Sequence, residues 1–80
     1  MKILITGSNG LLGQKLVKLI LEEGNHHLVA TARGTNRLPI PEEKYTFQSL
    51  DITNRDEVLE VIAKHKPNVV IHTAAMTNVD

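Results

Sequence analysis

Cysteine is absent from the 80 residues, which excludes disulfides and thiolate metal sites and accords with a cytoplasmic setting. Tryptophan is absent too, and Tyr45 and Phe47 are the only large aromatic side chains, so the core has to be aliphatic. Neither sign of charge is in excess: nine Lys and Arg balance nine Asp and Glu. Without a basic stripe to meet phosphates, a nucleic-acid partner is not expected. No apolar run is long enough to cross a bilayer, so no membrane partner is expected either. Only Ile3-Leu4-Ile5 lies between Met1-Lys2 and Thr6-Gly7, too little for the apolar segment of a secretory signal. A chain this short makes one domain at most and buries only about 60–65% of its unfolded surface, which predicts marginal stability.

What is present is a regular change of period. Lys2–Thr6 is a short aliphatic run that meets glycine at Gly7, as in a parallel strand buried on both faces. From Leu11 to Glu23 the spacing becomes three and four, with Leu12, Leu16, Leu19, Ile20 and Glu23 on one side. Gln14, Lys15, Lys18 and Glu22 take the other side, and Gly24-Asn25 closes the helix. Leu28–Ala32 reads as a second strand. Residues 34–44 carry Pro39 and Pro41, which disfavour a helix and predict an exposed connection. Tyr45–Leu50 reads as a third strand. Thr53, with Asp56 three residues on, is the predicted N-cap of a second helix. Val58, Leu59, Ile62 and Val61 supply its apolar stripe, and Pro67 stops it after Lys64, His65 and Lys66. Asn68–Thr73 is a fourth strand. The order β-α-β-β-α-β predicts the first half of an α/β, Rossmann-type doubly wound parallel sheet. In an isolated chain the outer edge of this strand, Val69 to Thr73, would be unpaired and apolar, a template for a homodimer or for aggregation.

The chemistry concentrates in Thr6-Gly7-Ser8-Asn9-Gly10-Leu11-Leu12-Gly13, which falls where a strand ends and a helix begins. That context, more than the glycines themselves, gives the motif its weight. Gly7 permits the tight turn, Gly10 lets backbone approach a pyrophosphate, and Gly13 allows close packing of helix on sheet. Free N–H groups near Leu11 and Leu12 then face the phosphates at the positive end of the helix dipole. Gly13 is followed by Gln14-Lys15, which excludes a P-loop.

Dinucleotide domains that bind NAD place an acidic residue about twenty positions past the glycines, to hold the ribose 2′-hydroxyl. Here the second strand ends Thr31-Ala32-Arg33-Gly34. A carboxylate would repel a 2′-phosphate, whereas Arg33 can pair with it through two hydrogen bonds. The reading is therefore NADP, with NAD possible. Arg33 also fits a solvated loop charge. Asp51, followed by the apolar Ile52, stands where a carboxylate accepts from the adenine amino group while its neighbour lies against the ring. Asp51 also fits a role in capping the second helix. The histidines read more plainly. His26 and His27 point to opposite faces of a strand and cannot share a metal. His65 is a helix-end charge. His72 fits either a strand hydrogen bond or the lining of the site.

The glycine turn, Asp51-Ile52 and the closing His72-Thr73-Ala74-Ala75-Met76-Thr77-Asn78-Val79-Asp80 together resemble the extended short-chain dehydrogenase/reductase family. Within it, Ala-Ala-x-Thr-x-Val-Asp is similar to the dTDP-4-dehydrorhamnose reductase group, which reduces nucleotide-linked keto sugars with NADPH or NADH. Met76 stands where that group often has an aromatic residue or histidine. The resemblance implies pyrophosphate contacts from Gly10, Leu11 and Leu12 and adenine contacts from Asp51 and Ile52. It also implies that Ala74, Ala75 and Met76 run along the ribose and nicotinamide, where small residues let backbone approach.

The family's catalytic tyrosine, with a lysine four residues on, has no counterpart here: Tyr45 is followed four positions later by Ser49. The expectation is that residues 1–80 form the N-terminal part of an NAD(P)-binding domain whose remainder, with the substrate-binding region, lies beyond Asp80. The chain alone would then bind cofactor without catalysing. Three functions fit a protein carrying it: a reductase of a nucleotide-linked keto-deoxysugar, a non-catalytic dinucleotide-binding regulatory subunit, and a sugar-nucleotide epimerase or dehydratase. A downstream Tyr-x-x-x-Lys pair separates the first from the second.

Overall fold

Every apolar run becomes a strand, and both segments of three-and-four spacing become helices. The computed structural model describes residues 1–73, in the order β1 (Lys2–Thr6), α1 (Leu11–Glu23), β2 (His27–Ala32), a 3-10 turn (Glu42–Lys44), β3 (Thr46–Ser49), α2 (Arg55–His65) and β4 (Val69–His72). The strands form one sheet ordered β3-β2-β1-β4, parallel throughout, with Ile3 opposite Leu28 on one side and Val69 on the other.

β1 is the centre of this sheet and is buried on both faces, which is why its sequence does not alternate. Ile3 and Ile5 face α1 in a cluster with Val17, Leu28 and Ala30. Leu4 faces the opposite way, with Val29, Leu50 and Val61 of α2. One helix therefore covers each face, and the sheet is doubly wound. β1 leads to β2 and β3 on one side, whereas β4 joins on the other. The resulting switch of direction opens a crevice at the carboxyl ends of the strands.

The helices differ in detail from the sequence reading. In α1 the inward residues are Gly13 and Val17, flanked by the half-buried Leu16, Ile20 and Leu21, whereas Leu19 is 59% exposed. Burying Val17 contributes about 1.5–3 kcal/mol. Gly24 ends the helix with φ of 76°, the left-handed cap that glycine adopts without steric cost. In α2, Val61 is buried and Leu59 is exposed. The N-cap is Asn54, one residue past the predicted Thr53: its side-chain oxygen accepts from the N–H of Glu57 at 3.2 Å. Glu57 reaches back in turn to accept from the N–H of Asp51 at 3.0 Å. Asn54 wins because Thr53 is already bonded to Asp51.

Residues 33–45 replace a helical crossover, but they are not uniformly exposed. Leu38 and Tyr45 are buried in the α1-side cluster and Ile40 packs on it. The Tyr45 hydroxyl donates to the Ile40 carbonyl at 3.3 Å and accepts from Asn36 at 2.8 Å. The connection is thus a structured strap. At the opposite end of the sheet, the Lys2 ammonium donates to the carbonyl of His65 at 2.7 Å, and Lys2 and Asn68 exchange two bonds. The outer edge of β4 carries no strand among the described residues. No helix among them is long and apolar enough to cross a membrane.

Candidate functional site

The glycine turn lies at the carboxyl end of β1 and is pinned from both flanking strands. Gly7 has φ of 76°, a backbone state that excludes a side chain at low cost. Its carbonyl accepts from the N–H of Gly10 at 3.1 Å, closing the turn. From β2, the Thr31 carbonyl accepts from the N–H of Ser8 at 3.0 Å. From beyond β4, the Thr73 hydroxyl donates to the carbonyls of Thr6 and Gly7. Thr31 itself is buried, with its hydroxyl on the Ile5 carbonyl at 2.7 Å. The Thr73 hydroxyl is thus the side-chain clamp of the turn, with the Thr31 carbonyl opposite it; the sequence motif does not single out Thr73 for this.

Gly13 and Gly10 serve different ends. A Cβ at Gly13 would overlap the Gly7 carbonyl oxygen and lie 2.8 Å from the Ser8 Cα. Helix and turn therefore meet here backbone to backbone. A Cβ at Gly10 would meet only the Gly7 oxygen, at an ordinary 3.5 Å, and φ there is −76°. Nothing among the described residues requires glycine at 10, so among them the space it leaves is open to a ligand. The α1 N-terminus beside it has no side-chain cap and no acidic residue in its first turn. A pyrophosphate fits this set: a bare backbone cradle, uncapped N–H groups and no competing negative charge. Leu11 and Leu12, the first two residues of the helix, are both exposed at that open end.

A cleft of about 360 Å³ adjoins the turn, lined by Gly7, Asn9, Ala32, Arg33, Arg37, Leu50, Asp51, Ile52 and Thr53. The carboxyl ends of three strands thus bring Gly7, Arg33, Asp51 and Ile52 together. Arg33 is 81% exposed, and its Nε lies 3.9 Å from Asp51 Oδ2. Asp51 Oδ1 accepts from both the N–H and the hydroxyl of Thr53, at 3.0 and 2.6 Å. These two bonds, chiefly the hydroxyl one, hold the carboxyl below the usual carboxylate range, and Arg33 adds to the effect. Asp51 is therefore ionised, with one oxygen fixed and the other facing the arginine. Ile52 is exposed beside it. Asn9 lines the cleft, but its side-chain polar atoms are bonded to the Thr35 carbonyl and the Arg37 N–H. The sequence reading overlooked Arg37. Ala74, Ala75 and Met76 lie outside the described residues.

A larger open cleft, about 620 Å³, lies between β3 and α2, lined by Gln48, Ser49, Glu57, Glu60, Val61, Ala63 and Lys64. Two carboxylates there disfavour an anionic ligand. No group of three or more His, Cys, Asp or Glu side chains suited to a metal ion occurs among the described residues. His72 sits at the end of β4 with its Nδ1 3.2 Å from the Thr6 hydroxyl, a hydrogen-bonded strand residue.

Comparison with known proteins agrees with the geometry. The profile of the NAD dependent epimerase/dehydratase family matches residues 3–80, and the chain belongs to that family. A dTDP-4-dehydrorhamnose reductase of Aggregatibacter actinomycetemcomitans is 39% identical across 99% of this chain and 22% of its own length. A dTDP-glucose 4,6-dehydratase of Escherichia coli is 32% identical across all of this chain and 24% of its own length. The chain therefore spans about a quarter of these relatives. The UDP-glucose 4-epimerase of Thermus thermophilus, solved in complex with NAD, superposes with a TM-score of 0.75 over 90% of this chain and 23% of that one. At 23% identity that likeness shows the shared Rossmann-type fold.

Proposed function

We propose that this member of the NAD dependent epimerase/dehydratase family holds the adenosine and pyrophosphate of NADP, within a reductase of a nucleotide-linked keto-deoxysugar. The observation that carries this reading is the single cleft gathering Gly7, Arg33, Asp51 and Ile52 beside the uncapped start of α1. Gly10, Leu11 and Leu12 receive the pyrophosphate on backbone N–H groups. Asp51 accepts from the adenine amino group through its outward oxygen, and Ile52 lies against the ring. Arg33 pairs with the 2′-phosphate. The nicotinamide, when bound, supplies the hydride; the groups that activate the sugar lie in the part of the protein beyond this chain. In this reading residues 1–80 are the N-terminal part of the NAD(P)-binding domain. The similarity to the dTDP-4-dehydrorhamnose reductase supports the reductase; that to the dTDP-glucose 4,6-dehydratase favours a dehydratase as the second reading.

The test is calorimetric titration of NADP and NAD against the protein and its Arg33→Ala variant. Loss of a charge-assisted contact is expected to weaken NADP about tenfold or more and to leave NAD nearly unchanged. Equal losses for both dinucleotides would remove Arg33 from the 2′-phosphate.

A further inference from the structure

Arg33 does not supply surplus positive charge to the cleft, because Asp51 lies beside it at 3.9 Å. Asp51 is also the one carboxylate among the residues lining that cleft. The cation left over is Arg37. Arg37 lines the same space, within a segment, residues 34–37, without regular structure. Gly34 opens that segment with φ of 81°.

Asn9 fixes the segment in place. From within the glycine turn, its Nδ2 donates to the Thr35 carbonyl at 2.9 Å and its Oδ1 accepts from the Arg37 N–H at 2.8 Å. The two bonds span 26 and 28 residues. The turn end of this bridge is itself held by Thr31 and Thr73; Asn36 and the buried Leu38 anchor the strap farther along, and Asn9 is what ties residues 35 and 37 to the turn.

We propose that Arg37 is the second cation of the 2′-phosphate subsite and that Asn9 is the positioning residue that sets it there. A phosphate dianion would take one guanidinium partly shared with Asp51 and a second that is not, and a ribose 2′-hydroxyl would gain nothing from the second. Arg37 and Asn9 therefore act on the choice between NADP and NAD. This rests on the reading that the cleft holds the adenosine half of a dinucleotide.

The test is a calorimetric double-mutant cycle on the intact protein, titrating NADP and NAD into wild type, Arg37→Ala, Asn9→Ala and the double variant. Arg37→Ala is expected to weaken NADP about tenfold while NAD moves by less than about twofold. Asn9→Ala lowers the NADP-to-NAD ratio in the wild-type background and leaves it unchanged once Arg37 is gone. Arg37→Lys, which keeps the charge without the fork, restores part of the ratio and is free of any folding defect at Asn9. The assignment is overturned if Arg37→Ala leaves the ratio unchanged, or if Asn9→Ala weakens both dinucleotides equally. Effects of the two substitutions that simply add would also overturn it. If wild type binds NADP and these arms fail, the inference falls alone; if wild type binds neither dinucleotide, the functional reading falls with it.

Discussion

Gly13 rests against Gly7 so closely that a methyl group on residue 13 would overlap the Gly7 carbonyl oxygen, with Ser8 Cα only 2.8 Å away. This contact sets both the rotation of α1 and the shape of the turn. Gly13→Ala is expected to cost about 1–3 kcal/mol through overpacking against backbone that cannot yield. Dinucleotide binding falls with it, because the turn must shift. Denaturant unfolding beside a titration measures both effects.

Gly10→Ala separates them. The new methyl meets one atom at ordinary distance, and the cost at an N-cap position is about 1 kcal/mol or less. Binding of NADP and NAD is nevertheless expected to weaken at least about tenfold, since the methyl fills space the pyrophosphate would use. A variant that binds normally would show that Gly10 faces no ligand.

Thr53→Val removes the hydroxyl that donates to Asp51. The Asp51 pKa, now held low mainly by that bond, is expected to rise toward the ordinary carboxylate value, as followed by carboxyl carbon resonances. In the native protein the stability linked to Asp51 is present above the unfolded pKa and is lost as pH falls through the lowered folded value. In the variant the folded and unfolded values lie closer together, so this contribution is smaller and the pH window over which it is lost is narrower. An unmoved titration would contradict the assigned cause.

His65 is held below its ordinary pKa of 6.5, first by burial and then by Lys64, Lys2 and His27. The unfolded chain therefore takes up a proton before the folded one does. Stability is expected to fall as pH drops below that ordinary value and through the lowered one. His65→Gln should flatten this part of the stability curve, measured by thermal unfolding at a series of pH values. An unchanged slope would remove His65 as its source.

Lys66 ends α2 with φ of 49°, a left-handed state that costs an L-residue about 1–2 kcal/mol. Lys66→Gly is expected to recover about 1 kcal/mol and raise the melting temperature. A lowered melting temperature would show that the lysine side chain contributes more than its backbone costs.

The order of elements was legible because the hydrophobic period changes sharply at Gly7 and Gly24. The bounds of β1 and α1 matched the sequence reading for that reason. The rotation of α1 was not legible. A helix with Leu12, Leu16 and Leu19 on one side reads as buried through Leu19, but the Gly13–Gly7 contact turns Val17 inward and Leu19 outward. The cap of α2 moved to Asn54 for a similar reason: Thr53 and Asn54 are both good caps, and a bond to Asp51 decides between them. The structure gathers Gly7, Arg33, Asp51 and Ile52, which stand out at strand ends in the sequence, into one cleft. Arg37 carries no such signal, because its backbone is tied to the turn by a bond to a residue 28 positions away.

The proposed seat of the dinucleotide is the glycine turn. Amide chemical-shift mapping, with NADP added to the isotopically labelled protein, reads this residue by residue. The largest changes are expected at Gly10, Leu11, Leu12 and Gly13, with a second group at Arg33, Asp51 and Ile52. Changes clustered instead at Gln48, Glu60 and Lys64, around the cleft between β3 and α2, would contradict it.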